Sequence, residues 1–299
     1  MEAKWTDLVD PTREELLHAV AVAVDPEVVE LLVEPARDGR SVRPLCEGHG
    51  RYVFAIVAFP RWGADGRTEY LQLGVLATPA ALVTVRKTGP GAQLVTSDSV
   101  AALVEAEAAP GAIVHGIVDD AADAFLELLD GLYEAIDELE GDVEHLRPAD
   151  ARRRIAFLRH ELLLARRSSS ATRGIARRIV DGRIDVGRSE LFPPPVERRF
   201  VDTYETLVRV TEELDVARDL LGGVRDYYQA KITEQQNEVG KKLTMIASLV
   251  LVPSFIVGFY GQNFAGEFRA WYWGVGVSAG LIVATTVIQL ALFRWRRWI

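Results

Sequence analysis

Apolar and polar positions change rhythm three times along this 299-residue chain. In the first third, the runs RYVFAIVAFP (51–60), TEYLQLGVLAT (68–78) and ALVTVRK (81–87) are β-branched or aromatic. Gly and Pro bound them, a pattern that predicts strands. DPTREELLHAVAVA (10–23) predicts a helix capped by Asp10, with Pro11 in its first turn and Glu14 and Glu15 following. PEVVELLVEP (26–35) predicts a second, short helix. Interleaved helices and strands make residues 1–110 an α/β or α+β domain.

The rhythm then turns helical over residues 111–195. AFLELLDGLYEAIDELEGDVEHL (124–146) carries apolar residues three and four apart among acids, and Pro148 breaks it. DARRRIAFLRHELLLARRSSSATRGIARRIV (150–180) resumes with a basic face. An acidic helix followed by a basic one predicts an antiparallel hairpin that partly neutralises itself. DGRIDVGRSELFPPP (181–195) reads as a loop that its three prolines hold out of a helix. From Val196 no proline occurs until Pro253, and Phe200, Tyr204, Leu207, Thr211, Leu214, Leu221 and Tyr228 recur near a 3.5-residue spacing. This predicts one helix of about 65 residues from Val196 to Tyr260, roughly 95 Å long. Residues 196–242 form its stalk, which implies association with other copies.

The third rhythm is continuous apolarity. Leu243–Tyr260 and Trp271–Phe293 carry no charge, and each is long enough to cross a hydrocarbon core of ~30 Å. Lys241 and Lys242 precede the first span, and Arg294, Arg296 and Arg297 follow the second. Positive flanks face the cytoplasm, so both termini are expected there. The connector 261–270 then faces outside, and residues 294–299 form a basic cytoplasmic tail. On this reading the island Tyr260-Gly261-Gln262-Asn263 is a polar turn at the outer end of the hairpin.

Within the first span, Gly240, Thr244, Ala247, Leu251, Ser254 and Gly258 follow each other at steps of four and three. They form one helical face that is small or weakly polar except for Leu251. Such a face suits close helix packing. It also suits a narrow pore lined by several copies, since two helices alone cannot enclose one. Glu205, Glu212, Asp219 and Asp226 repeat every seven residues along the stalk. They are either a solvated flank or a surface that attracts cations.

Charge sharpens the picture. Six basic residues and one acid in 241–299 leave that segment at +5, so the rest carries −14 of the total of −9. An acidic body repels nucleic acid and attracts cations, so no nucleic-acid partner is expected. Cys46 is the single cysteine, which excludes an intramolecular disulfide and reads as a buried structural thiol. The acidic N-terminal sequence is not a signal peptide. His18, His49, His115, His145 and His160 are scattered without metal-ligand spacing, and no Walker loop or dinucleotide fingerprint occurs. Neither an enzyme nor a bound cofactor is indicated.

At this point the motifs converge. YYQAKITEQQNEVGKKLTMIASLVLVPSFIVGFYGQNF (227–264) resembles the stalk end, first membrane helix and signature loop of the CorA family of divalent cation transporters. Their Gly-Met-Asn signature stands here as Gly261-Gln262-Asn263, with Tyr260 before it and Phe264 after it. RWRRWI (294–299), WTDLVDPTREEL (5–16) and DELEGDVE (137–144) are similar to other segments of the family, so the resemblance spans the chain.

The resemblance implies a funnel-shaped homopentamer in the inner (plasma) membrane, with an α+β cytoplasmic domain, a long stalk helix and a two-helix transmembrane hairpin. It implies Gly261, Gln262 and Asn263 as the selectivity filter. It implies Asn237, Gly240, Leu243, Leu251, Ser254 and Gly258 as pore-lining, with Leu243 and Leu251 as apolar constrictions. Asp202 matches a regulatory carboxylate that binds Mg2+ and closes the pore. The expected function is Mg2+ influx, with Mg2+ as both transported and regulatory ion and membrane lipid as surroundings. Gln262 replaces the signature Met, Gly240 replaces a pore Met, and Pro253 stands one residue later than the family's proline. Zn2+, Co2+ or Ni2+ transport, or a non-conducting scaffold or metal sensor, are the alternatives.

Overall fold

The computed structural model describes residues 4–20, 22–34, 43–63, 66–87, 102, 108–186, 191–263 and 268–298. Their contacts divide the chain into two units, residues 1–225 and 226–299.

The first unit is built on a five-stranded sheet in the order β1-β5-β4-β3-β2. The strands are β1 (Lys4–Val9), β2 (Leu45–Gly48), β3 (Val53–Trp62), β4 (Thr68–Ala77) and β5 (Ala81–Arg86). β1 pairs parallel to β5 and all other neighbours are antiparallel. Residues Val53–Pro60 are buried without alternation, so β3 is covered on both faces. On one face Leu16 of α1 (Arg13–Ala19) and Val28, Val29 and Leu32 of α2 (Pro26–Val33) pack with Tyr52, Phe54, Ile56, Leu76, Val83 and Val85. A Cβ at Gly74 would overlap the Leu32 side chain, so this glycine lets α2 lie flat on the sheet.

Two predicted details change here. Thr12, not Asp10, caps α1, and Thr12 and Glu15 complete a reciprocal capping box. Asp10 has φ 45°, a left-handed turn that ends β1, and its N–H donates to Arg86 O. The sequence patterns predict neither β1 nor β2. β1 is fixed by polar contacts: Trp5 Nε1 donates to Thr84 Oγ1 at 3.1 Å, Thr84 donates to Asp7 Oδ1 at 2.7 Å, and Arg86 pairs with Asp7.

Helices α3 (Pro110–Asp142) and α4 (Pro148–Val180) form the predicted antiparallel hairpin, and α3 lies against the sheet. Arg154 joins Glu138 at 2.8 Å and Asp142 at 3.4 Å. At Gly131 a Cβ would lie 2.8 Å from the Trp62 ring, which seats the β3 end on α3.

Helix α5 runs from Pro194 to Asn263, 70 residues, roughly 105 Å of helix. Pro194 and Pro195 open this helix instead of excluding it, because the first-turn N–H groups lack intrahelical partners in any case. Its periodic residues Phe200, Leu207, Thr211, Leu214, Leu221 and Tyr228 are buried, together with Val210, Ala217 and Val224. Tyr133 of α3 donates to Glu213 Oε2 at 2.8 Å, and Arg166 of α4 meets Asp215 at 2.8 Å. Phe200 sits edge-on to His115 and Phe192, with ring centroids 5.0 and 5.7 Å away.

The second unit holds the rest of α5 and helix α6 (Phe268–Trp295). Helix α6 ends in a Schellman turn. Arg297 has φ 55°, Trp298 N–H donates to Phe293 O at 2.9 Å, and the Trp298 ring stacks on Phe293 with centroids 5.8 Å apart.

Phe200→Ala removes a fully buried ring and is expected to cost about 3–5 kcal/mol of stability. Thermal unfolding of the detergent-solubilised chain checks this against Glu205→Ala, an exposed position whose loss should stay within about 0.5 kcal/mol. Equal losses for the two variants would contradict the packing described.

Candidate ion pathway

Two helices are long and apolar enough to cross a membrane, and neither apolar window is buried within the chain. Leu243, Leu251 and Phe255 expose 67%, 70% and 72% of their surface, far beyond what water tolerates for a row of large apolar groups. Lipid or other copies must cover them.

Along the apolar stretch 243–260 of α5, the half-buried positions are Met245, Ser248, Leu249, Val252, Pro253, Ile256 and Tyr260. Along α6 they include Ser278, Ile282, Thr285, Thr286 and Gln289, with Phe293 buried. These are the two facing stripes of a helix pair. Gly240, Thr244, Ala247, Leu251, Ser254 and Gly258 are all exposed. At 3.6 residues per turn the small-residue stripe lies about 150° around the helix from the α6-facing stripe. The stripe therefore does not serve packing against α6.

Its hydroxyls are oriented by the helix itself. Thr244 Oγ1 donates to Gly240 O at 2.8 Å, and Ser254 Oγ donates to Val250 O at 2.7 Å. A hydroxyl whose proton is held by a helix carbonyl presents only oxygen lone pairs outward. The open face thus offers acceptors, which suit the water protons of a hydrated cation.

Asn237 and Leu243 are exposed on the same helix. Gly261, Gln262 and Asn263 are its last residues, so the helix continues three residues beyond the predicted end at Tyr260. α6 begins at Phe268, and residues 264–267 of the expected 261–270 connector lie outside the described residues. The side chains of Gln262, Asn263, Trp271, Tyr272 and Trp273 also lie outside the description. Gly261 has open space where a Cβ would be.

In the first unit, Asp202 is exposed. Its neighbour Thr203 is buried and donates to Asp119 Oδ1 at 2.6 Å, with His115 Nε2 3.1 Å from the same hydroxyl. Asp123, one turn along α3, has its carboxyl held above the usual carboxylate range by burial and then by Asp119, Asp120 and Glu127. No group of three or more His, Cys, Asp or Glu side chains able to hold a metal ion forms among the described residues. His49 stacks on Tyr52 with its Nδ1 2.7 Å from Asp25 Oδ2, an anchoring contact of the sheet edge.

Sequence reasoning passed over Gln289. It is the sole amide side chain in the apolar stretch 274–293, and that isolation was the available signal. Its Nε2 donates to Ser248 O across the helix pair at 3.3 Å.

The family model of CorA-like Mg2+ transporter proteins matches residues 2–297. The chain is 27% identical over 193 residues to the cobalt/magnesium transport protein CorA of Thermotoga maritima, covering 62% of this chain and 52% of that one. The matched stretch thus spans about half of that relative's length. It is 25% identical over 243 residues to the zinc transport protein ZntB of Yersinia enterocolitica, covering 79% of this chain and 71% of the other. The fold is similar to the complete structure of the CorA magnesium transporter from Methanocaldococcus jannaschii, with a TM-score of 0.77, 20% identity and coverage of 99% and 91%.

Burial pushes the Cys46 thiol up to about 12, against the opposing charge of Arg178. Cys46 is therefore expected to resist alkylation at pH 8 until the chain is denatured, read by mass spectrometry. That gives a quiet background for introduced thiols. Ser254→Cys should label with a membrane-impermeant thiol reagent at least several-fold faster than Ile256→Cys, which faces α6. Similar rates would contradict the open face.

Proposed function

Because this chain belongs to the family of CorA-like Mg2+ transporter proteins, we propose that it is a divalent cation channel of the plasma membrane, a homopentamer that admits Mg2+. The observation that carries the proposal is the acceptor-bearing stripe on α5, turned away from α6 and leading to Gly261, Gln262 and Asn263 at the helix end.

Five copies of α5 with their stripes inward enclose a path lined by Asn237, Gly240, Leu243, Leu251, Ser254 and Gly258. Leu243 and Leu251 are apolar constrictions that close it by dewetting. Gly261, Gln262 and Asn263 form a neutral amide and carbonyl ring at the outer mouth. Mg2+ loses water reluctantly, so such a ring binds the hydrated ion through its waters and releases it readily. A ring of carboxylates would hold the ion too tightly. With Lys241, Lys242, Arg294, Arg296 and Arg297 on the cytoplasmic side, both termini are inside. An inside-negative potential drives entry, worth about 2.3 kcal/mol per charge per 100 mV and twice that for a divalent ion. Asp202 contributes to a regulatory Mg2+ site completed between copies, so that intracellular cation closes the pore.

Gln262 favours a second reading within the same class. It puts an amide where the Mg2+ signature has a thioether, and the similarity extends to proteins described as zinc transporters. Zn2+, Co2+ or Ni2+ is then the cargo.

Proteoliposomes carrying the full chain test both. Under an inside-negative potential, wild type should take up Mg2+, and Asn263→Ala should lose at least tenfold of that flux. Preference for Zn2+, Co2+ or Ni2+ over Mg2+ would move the assignment to the second reading. Flux equal to that of empty liposomes for all four metals would overturn transport and leave a scaffold or sensor.

A further inference from the structure

Gln289 lies five residues before Arg294, and Ser248 lies six after Lys242, so both sit within about 10 Å of the positive flanks of their helices. The amide reaches out of α6 and donates Nε2–H to the backbone oxygen of Ser248 at 3.3 Å. Only the nitrogen end of the amide can serve a carbonyl, so the orientation follows from chemistry. The acceptor is unusual in what surrounds it. In an α-helix Ser248 O also takes the Val252 N–H. The next carbonyl, Leu249 O, has no donor four residues on, because Pro253 lacks an N–H. The one after, Val250 O, is shared with the Ser254 hydroxyl at 2.7 Å. Three consecutive carbonyls of α5 thus depart from the simple ladder, and Leu251, the constriction proposed above, stands beside them. The Ser248 hydroxyl takes no part in the clamp, since it donates to Met245 O at 3.0 Å. The Oε1 of Gln289 is buried and has no partner among the described residues. Lipid cannot supply a donor, so the amide is held at one end only within a single copy.

We propose that Gln289 is a positioning residue for permeation. Its side-chain amide holds the weakened turn 248–254 of α5 against α6 and so fixes where Leu251 stands in the pore. This rests on the channel reading. Without the clamp the turn yields more easily, and the closed and open arrangements of Leu251 change their balance. An interhelical hydrogen bond in lipid shifts such an equilibrium by about threefold to thirtyfold.

The variants are Gln289→Met, which keeps length and removes both polar ends, and Gln289→Glu. The first measurement is amide hydrogen exchange of the segment 248–256 in the full chain in nanodiscs. Gln289→Met should exchange at least threefold faster there than wild type, with the exchange of 275–283 unchanged. Equal rates in 248–256 would overturn the clamp whether or not the protein conducts. The second is the internal Mg2+ concentration that halves flux in proteoliposomes. It should move by at least threefold in Gln289→Met at unchanged oligomer size. In Gln289→Glu it should return to the wild-type value at low pH, where the neutral carboxyl again donates to Ser248 O, and depart from it at high pH. A midpoint that stays with wild type in both variants at every pH would overturn the positioning role. If wild type itself carries no ion, the channel reading fails, and the exchange result decides the clamp alone.

Discussion

One backbone ladder has to serve two solvents in this chain. Helix α5 is continuous from Pro194 to Asn263, yet its residues up to Arg225 belong to one packed unit and the remainder to another. A helix can do this because its backbone hydrogen bonds are internal and indifferent to what surrounds them. Only the side chains must change. They do so abruptly. Through Tyr228 the buried positions form a stripe near a 3.5-residue spacing. From Val239 onward most of the large apolar side chains of α5 are exposed within the chain.

The membrane portion has its own economy of polar groups. Ser248, Thr244, Ser254, Ser278 and Thr285 all return their protons to carbonyls of their own helix. In hydrocarbon an unpaired hydroxyl costs several kcal/mol, so local satisfaction lets these side chains sit on any face of a helix. Gln289 is too long and carries too many polar sites for that solution, and it reaches across to the neighbouring helix instead.

Much of the fold was legible because its signals are periodic. β3, β4 and β5 announce themselves through β-branched and aromatic runs, the α3–α4 hairpin through acidic and basic helical patterns, and α5 through its stripe. What escaped had no period to read. β1 is held by Trp5, Asp7, Thr84 and Arg86 across strands, a network that only tertiary pairing creates. The α1 cap went to Thr12 because Asp10 takes a left-handed turn and gives its N–H to Arg86 O, a pairing with β5 that local sequence does not show. Pro194 and Pro195 look like breakers in the sequence, whereas the first turn of a helix has no intrahelical N–H bond to lose. Among the candidate site residues, the face shared by Gly240, Leu251, Ser254 and Gly258 could be read from spacing alone. Its openness could not, because spacing does not say which face α6 takes.

That last point bears on the two uses of a small-residue stripe. Small residues permit close approach of helices, and a stripe used for α6 would be covered by it. Here α6 takes the side bearing Met245, Val252 and Ile256, which are large. The small face is left for a contact that none of the described residues of this chain makes. Packing alone would be served by glycine and alanine. Hydroxyls with their protons turned inward add something packing does not need, a row of outward lone pairs. Such a row repels anions and accepts hydrogen bonds from the first water shell of a cation. The acidic balance of the first 240 residues adds a long-range attraction of the same sign. A bare Mg2+ would demand an octahedron of oxygens, which a face of isolated hydroxyls does not build.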